Sequence, residues 1–166
     1  MSVDGVTIAC VGCGASVPDV PGVGERPGGT AAGCWAAFCE VLAREYSDFR
    51  YARSHRLTVD AYTAQHADHP SPRAVKSLAV HLVGLHVTLE LDYPPERAMR
   101  AVQRAANRVD HFRWLEPPRS RGALTILDVR AARDAEEHLA LVQRWARSVW
   151  EAWTEHHATV RAWAKL

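Results

Sequence analysis

The sequence lacks a charge excess of either sign, and it also lacks a long apolar run. Its 166 residues contain 20 Lys and Arg against 19 Asp and Glu, which gives a formal net charge of +1. With so little net charge, we expect no nucleic-acid partner and no attraction to a membrane surface. The longest apolar candidate, residues 78–91, contains His81, His86 and Glu90 and is shorter than the roughly 18 apolar residues of a membrane span. It predicts a buried core helix.

The N-terminus lacks the basic segment followed by a long apolar segment that marks a secretory signal. We therefore expect a cytoplasmic protein, in a compartment where thiols stay reduced. Motifs of common enzyme classes are missing too: the sequence has no P-loop, no dinucleotide-binding glycine fingerprint, no nucleophile elbow, no HExxH and no pair of ExxH motifs. The motifs alone therefore assign no reaction.

What the chain does have is an ordinary globular composition, with 48% hydrophobic and 23% charged residues. A chain of this length fits one compact domain, which we expect to span residues 1–166. Residues 1–33 are rich in Gly, Pro and small residues, so they predict an irregular arm. Residues 34–166 show helical periodicity, with no alternating strand pattern. The predicted fold is all-α, a bundle of four or five helices with the irregular Cys-containing arm laid against it.

Helix boundaries are marked by recognisable signals. Ser71 and Pro72 form a cap and first-turn pair for a helix that runs to about Leu91. Thr125, followed three residues later by Asp128, resembles a capping box. Near the C-terminus, large apolar or aromatic residues recur every three or four positions between His138 and Trp163, which predicts one long helix.

The four cysteines follow the pattern C-x2-C-x20-C-x4-C, at Cys10, Cys13, Cys34 and Cys39. In a reducing compartment such spacing indicates a metal site, most simply structural zinc, rather than disulfides. Cys34 and Cys39 would lie about 140° apart on one helix, so both bind one ion only if Cys34 precedes the first turn. Cys39, His66 and His69 are therefore alternatives for the fourth ligand.

The nine histidines form a second constellation. His55, Tyr62 and His66 share one stripe of a predicted helix over residues 54–67, and Asp60 lies off that stripe. His86 and Glu90 stand four residues apart and could chelate one ion. One histidine from each of three helices could instead form an open site for a transition metal other than zinc. The candidates for such a site are His66, His81 and His138.

Seven short motifs stand in an order that resembles an uncharacterised bacterial family, domain-of-unknown-function family 5946. They are CxxCG at 10–14, GCW at 33–35, AREYSD at 43–48, LTVDAYTAQH at 57–66, HLVGL at 81–85, WLEPP at 114–118 and WxxHHATVRAW at 153–163. The resemblance spans nearly the whole chain and implies no established activity. The family pattern emphasises Cys10, Cys13, Cys34, Asp60, Tyr62, His66 and His81. It omits Cys39, which favours a histidine as fourth ligand; of His66 and His69, we predict His66.

Two functional hypotheses follow. The first is a small zinc metalloenzyme in which a polar site acts on a small molecule. Its predicted catalytic residues are Asp60, Tyr62, His66 and His81, with a histidine as ligand or general base, Asp60 orienting an imidazole and Tyr62 donating a proton. The second is a non-catalytic zinc-stabilised interaction module, which would form a homodimer through aromatic helix faces. A cleft lined by histidines favours the first hypothesis, and a flat exposed surface rich in Trp favours the second.

Overall fold

The computed structural model describes residues 5–22 and 26–166 and shows a mostly helical protein with a short N-terminal hairpin. The predicted fold class is confirmed. Strands β1 (Thr7–Ala9) and β2 (Ser16–Pro18) pair antiparallel, with Ile8 opposite Val17. The hairpin was not predicted, because strands of three residues are too short to show an alternating pattern.

Within the described residues the chain forms eight α-helices rather than four or five. They are α1 (Ala32–Ser47), α2 (Phe49–Ala52), α3 (His55–Gln65), α4 (Pro72–Leu89), α5 (Pro95–Ala106), α6 (Ile126–Arg130), α7 (Ala135–Ala152) and α8 (His157–Trp163). Short 3-10 turns occupy Val109–His111 and Thr154–His156. The predicted helices correspond to α1, α3, α4, α5 and the pair α7 and α8, and the remaining helices are short connecting elements.

The caps read from the sequence are present. The Ser71 hydroxyl accepts a hydrogen bond from the Ala74 N–H at 3.0 Å, with Pro72 at the start of α4. At α6, Thr125 and Asp128 form a reciprocal capping box. These side chains satisfy backbone donors that a helix N-terminus leaves without partners.

The predicted single C-terminal helix is interrupted between α7 and α8. The His157 Nε2 atom donates to the Trp150 carbonyl at 2.8 Å across the break. Trp153, the residue after α7, and Trp163, at the end of α8, are both buried despite the break. The spacing of the apolar residues continues across the 3-10 turn, so periodicity alone did not reveal the interruption.

The core lies where α3 and α4 pack together and where α5, α7 and α8 cover them. Trp145 and Trp153 are fully buried there, with Leu82 and Leu85 among the other large side chains. Helix α3 contributes mostly buried residues even though several of them are polar. Among the described residues, none of the helices is long and apolar enough to cross a membrane.

Candidate metal centre

Cys10 and Cys13 are presented by the tight turn that joins the two strands. The Cys10 N–H donates to the Ala15 carbonyl at 2.8 Å, and the Gly14 N–H donates to the Cys10 carbonyl at 2.7 Å. Gly14 has φ +76°, a left-handed conformation that a residue without a Cβ adopts readily. The CxxCG sequence therefore folds as a knuckle that turns both thiols to the same side.

Helices α1 and α3 supply two further donors to this knuckle. Cys34 lies in the first turn of α1, and His66 follows the last residue of α3. The donor atoms of Cys10, Cys13, Cys34 and His66 all lie within 4.8 Å of one another. We refer to these four residues as the Cys3His cluster. They are close together in space although His66 is 56 residues from Cys10 in the sequence.

The spacing within the Cys3His cluster suits a tetrahedral ion. Zinc–sulfur bonds of about 2.3 Å and zinc–nitrogen bonds of about 2.05 Å give tetrahedral edges of about 3.8 Å between two sulfurs and about 3.6 Å between sulfur and nitrogen. The Cys13 and Cys34 Sγ atoms are 3.8 Å apart, and Cys34 Sγ is 3.4 Å from His66 Nε2. These two distances are close to the tetrahedral edges, and the cluster could therefore hold a metal ion.

Neighbouring groups orient the donors. The Nδ1 atom of His66 donates to the Tyr62 carbonyl at 2.8 Å, which leaves Nε2 to face the sulfurs. The Tyr62 hydroxyl lies 3.5 Å from Cys34 Sγ, and the Ala31 N–H donates to Cys10 Sγ at 3.5 Å. Such outer contacts fix the tautomer and position of metal ligands.

The electrostatics of the Cys3His cluster favour one thiolate and resist the loss of further protons. The neighbouring thiols of Cys13 and Cys34 lower the pKa of Cys10, whereas hydrogen bonds with Cys10 and Cys13 raise the pKa of Cys34. Burial works against a charged His66, but hydrogen bonds with Cys10 and Cys13 raise its pKa to about 9. One thiolate is thus stabilised and further negative charge is resisted, which is the situation that a bound cation relieves.

Neither Cys39 nor His69 is part of the Cys3His cluster. Cys39 is exposed on α1, as expected from its angular separation from Cys34. His69 is exposed as well, and its Nδ1 atom lies 2.5 Å from Asp68 Oδ1. Of the three alternatives for the fourth donor, the structure places His66 beside the three sulfurs.

The four predicted catalytic residues lie in two separate groups. Tyr62 and His66, four residues apart, stack on each other beside Cys34, with ring centroids 4.0 Å apart. Asp60 is about 200° around α3 from Tyr62 and faces α4 instead. There its Oδ1 atom accepts a hydrogen bond from His81 Nδ1 at 2.7 Å, and the hydrogen-bond partners of the buried carboxylate, His81 and Arg56, are not members of the Cys3His cluster.

The three-histidine site is not assembled, because its three candidates have different partners. His66 belongs to the Cys3His cluster and His81 to Asp60, while the Nε2 atom of His138 donates to Glu45 at 3.0 Å. The predicted chelating pair His86 and Glu90 is hydrogen-bonded at 2.8 Å.

Glu90 has two further partners from the C-terminal helices. It accepts a hydrogen bond from the Trp150 indole at 3.1 Å and forms an ion pair with Arg161 at 2.6 Å. The ion pair with Arg161 lowers the pKa of Glu90 to about 2. The contact of Glu90 with His86 is thus part of a larger polar network that joins α4 to α7 and α8.

Glu45 is the main polar residue that the sequence reasoning missed. It is 1% exposed and accepts hydrogen bonds from Ser54 and Thr58 and from the rings of His55 and His138. Burial alone would raise the pKa of Glu45, but these four donors hold it below its ordinary value. A signal was available: Glu45 continues the apolar spacing of Phe38 and Val41 along α1.

A cavity of about 500 Å³ lies next to the Cys3His cluster. His66 forms part of its wall, with Trp35 and Trp114 among the other lining residues. The cluster itself has four protein donors, so an ion held by all four would have no free position for a water molecule or substrate. This donor set is typical of metal sites that hold a fold together.

The fold and the Cys3His cluster together define a mostly helical protein with a buried group that could hold a metal ion. Residues 8–154 match the model of the Family of unknown function (DUF5946). The chain therefore belongs to this family, as its sequence motifs predicted. No curated protein and no solved structure matches the chain.

Proposed function

We propose that the protein binds one Zn²⁺ ion through Cys10, Cys13, Cys34 and His66. The observation that carries this proposal is the convergence of the four donor atoms within 4.8 Å. Three thiolates and one imidazole in tetrahedral arrangement are a common donor set of zinc, whereas iron–sulfur clusters generally take four cysteines. The ligand thiols must stay reduced, which fits a cytoplasmic location.

The proposed role of the ion is structural. The hairpin has strands of only three residues, and a two-stranded hairpin alone is marginal in water. It has few buried apolar side chains, chiefly Ala15 and Val17. An ion that joins Cys10 and Cys13 to Cys34 on α1 and His66 after α3 would attach the hairpin to the helices, so that metal-binding energy becomes folding energy.

The metal content of the full chain, produced without a histidine tag, tests this proposal. We expect about one zinc per chain in the wild type and none in the double variant Cys10→Ser/Cys13→Ser. Cys39→Ser is the matched control, because Cys39 is an exposed thiol outside the cluster. It should keep its zinc and its thermal stability. A wild-type protein without metal, or zinc retained by the double variant, would contradict the proposal.

A second candidate function is acid–base catalysis by His81. The observation that favours it is the 2.7 Å hydrogen bond between the His81 Nδ1 atom and the buried Asp60, in a side chain that is still 19% exposed. A carboxylate that orients an imidazole in this way is a frequent arrangement for a general base. His66 is assigned to the metal in this proposal, and the Tyr62 hydroxyl lies against Cys34. Of the predicted catalytic residues, Asp60 and His81 therefore remain for proton transfer.

A panel of activated esters, amides and phosphate esters tests the second candidate. Turnover that is lost in His81→Gln and kept in Cys39→Ser would support it. Turnover that does not change in His81→Gln, or no turnover of any class, would contradict it. In that case a zinc-stabilised, non-catalytic interaction module would be the better hypothesis.

A further inference from the structure

A second cavity, of about 380 Å³, lies between α3, α4, α5 and α7, away from the Cys3His cluster. Leu57, Ala98 and Val142 give it an apolar wall, and all three are buried side chains. Thr88 and Gln143 are among its few uncharged polar lining residues. A mostly apolar cavity with a few polar groups at defined positions is typical of small-molecule sites.

Arg56 lines this cavity and has a hydrogen-bonding group without a partner. Its Nε atom donates to Asp60 Oδ2 at 3.1 Å. Its Nη2 atom is enclosed and has no hydrogen-bond partner in residues 5–22 and 26–166. Buried donors are rarely left unpaired, because the unsatisfied group loses its water without any compensation. The Arg56 side chain is nevertheless 32% exposed, so part of it stays accessible to a ligand in the cavity.

The buried Asp60 carboxylate fixes the position of the Arg56 guanidinium. Asp60 is fully buried, and its second oxygen is occupied by His81 at 2.7 Å. Gly84 makes room for this carboxylate, since a Cβ there would lie 2.3 Å from Asp60 Oδ2. A guanidinium fixed through its Nε atom presents its remaining donors in a defined direction, which suits the planar recognition of an oxyanion.

The charge of the cavity also favours an anion. Its lining includes two arginines, Arg53 and Arg56, and no Asp or Glu. The Arg53 side chain has no ion pair in the part of the chain that the structure describes. Asp60 balances one positive charge from outside the lining, so the cavity retains an excess of positive charge.

We propose that this cavity binds a small organic acid, whose carboxylate accepts hydrogen bonds from Arg56 while its apolar part packs on Leu57, Ala98 and Val142. The apolar wall and the volume distinguish this ligand from inorganic phosphate, which would contact the arginines but leave the apolar surface uncovered. The proposal does not depend on the metal, because none of the Cys3His cluster residues lines the cavity.

Isothermal titration calorimetry of the protein as purified, with three probes, tests the proposal. Hexanoate is the acid, hexanamide is its neutral counterpart with the same apolar chain, and inorganic phosphate is the anion without one. We expect hexanoate to bind about tenfold or more tightly than hexanamide, because a charged hydrogen bond is lost in the amide. We also expect it to bind more tightly than phosphate.

Two variants locate the binding. Arg56→Gln should weaken hexanoate binding by about tenfold or more. Leu139, a half-buried residue of α7, also lines the cavity, and Leu139→Trp should abolish binding by filling it, with Arg56 unchanged. Arg104→Gln, an exposed arginine on α5 outside the cavity, is the matched control and should bind as the wild type does. Equal binding of hexanoate and hexanamide, no binding of any probe at 10 mM, or binding that survives both Arg56→Gln and Leu139→Trp would overturn the proposal.

Discussion

The substitution Gly12→Ala should disturb the proposed metal centre without removing any of its four donor residues. Gly12 lies between Cys10 and Cys13 and packs directly against the His66 ring. A Cβ at this position would lie 2.4 Å from His66 Cδ2 and 3.0 Å from Cγ. Because carbon atoms need at least about 3.4 Å, the ring or the knuckle must move by about 1 Å.

A movement of this size is large compared with the tolerance of a metal site. Ligand distances in such sites hold to within about 0.2 Å, so His66 Nε2 would leave its bonding position. Disturbing the groups that position a ligand typically lowers metal affinity by about 10-fold to 100-fold. We expect a loss of zinc affinity at least that large in Gly12→Ala.

Zinc competition against a chromogenic chelator measures this effect, and the absorption spectrum of the Co²⁺-substituted protein reports whether the imidazole is still bound. Gly5→Ala is the control, since a Cβ there meets no atom within 4 Å. The reasoning would be refuted if Gly12→Ala matched Gly5→Ala in zinc affinity and in its Co²⁺ spectrum.

Three further predictions concern stability. The pKa of Glu90, about 2, lies below its ordinary 4.5, so its contribution to stability is complete above about pH 4.5 and is lost as the pH falls toward 2. In urea unfolding, the stability difference between wild type and Glu90→Gln should therefore shrink across that range, and a constant difference would contradict the assignment. Gly84→Ala should lower the free energy of unfolding by about 1–3 kcal/mol, because its Cβ would overlap Asp60, and a neutral result would argue against that contact. Trp153→Phe should lower the free energy of unfolding by about 1–3 kcal/mol less than Trp145→Phe does. The reason is that the Trp153 indole N–H has no hydrogen-bond partner in the described residues, whereas the Trp145 indole N–H is hydrogen-bonded. Equal losses in the two variants would count against this explanation.

Much of the helical architecture could be predicted because its signals are local. The cap residues Ser71 and Thr125 and the apolar spacing along α4 act within a few residues of where they stand. The hairpin and the break before α8 are not local in this sense. The hairpin pairs Ile8 with Val17 across the knuckle, and His157 contacts the Trp150 carbonyl, seven residues earlier, across the break.

The candidate metal site could be predicted in part for the same reason. Spacing alone indicated Cys10, Cys13 and Cys34, whereas His66 was singled out by the family resemblance. The pairing of Asp60 with His81 joins two helices and leaves no trace in spacing. The ion pair of Asp60 with Arg56, in contrast, could be predicted from the sequence, because the two residues stand four positions apart on one helix.

Helix α3 has buried polar contacts in several directions around its axis. Thr58 donates to Glu45 on α1, Asp60 accepts from His81 on α4, and Gln65 accepts from the Trp145 indole on α7. If each position of α3 were occupied by the next residue in the sequence, every side chain would be rotated by about 100° around the helix axis, and all three contacts would be broken at once. Each contact would then leave a buried polar group unsatisfied, at about 1–3 kcal/mol apiece. The polar residues of α3 therefore determine its rotational register, which purely apolar packing would leave much less restricted.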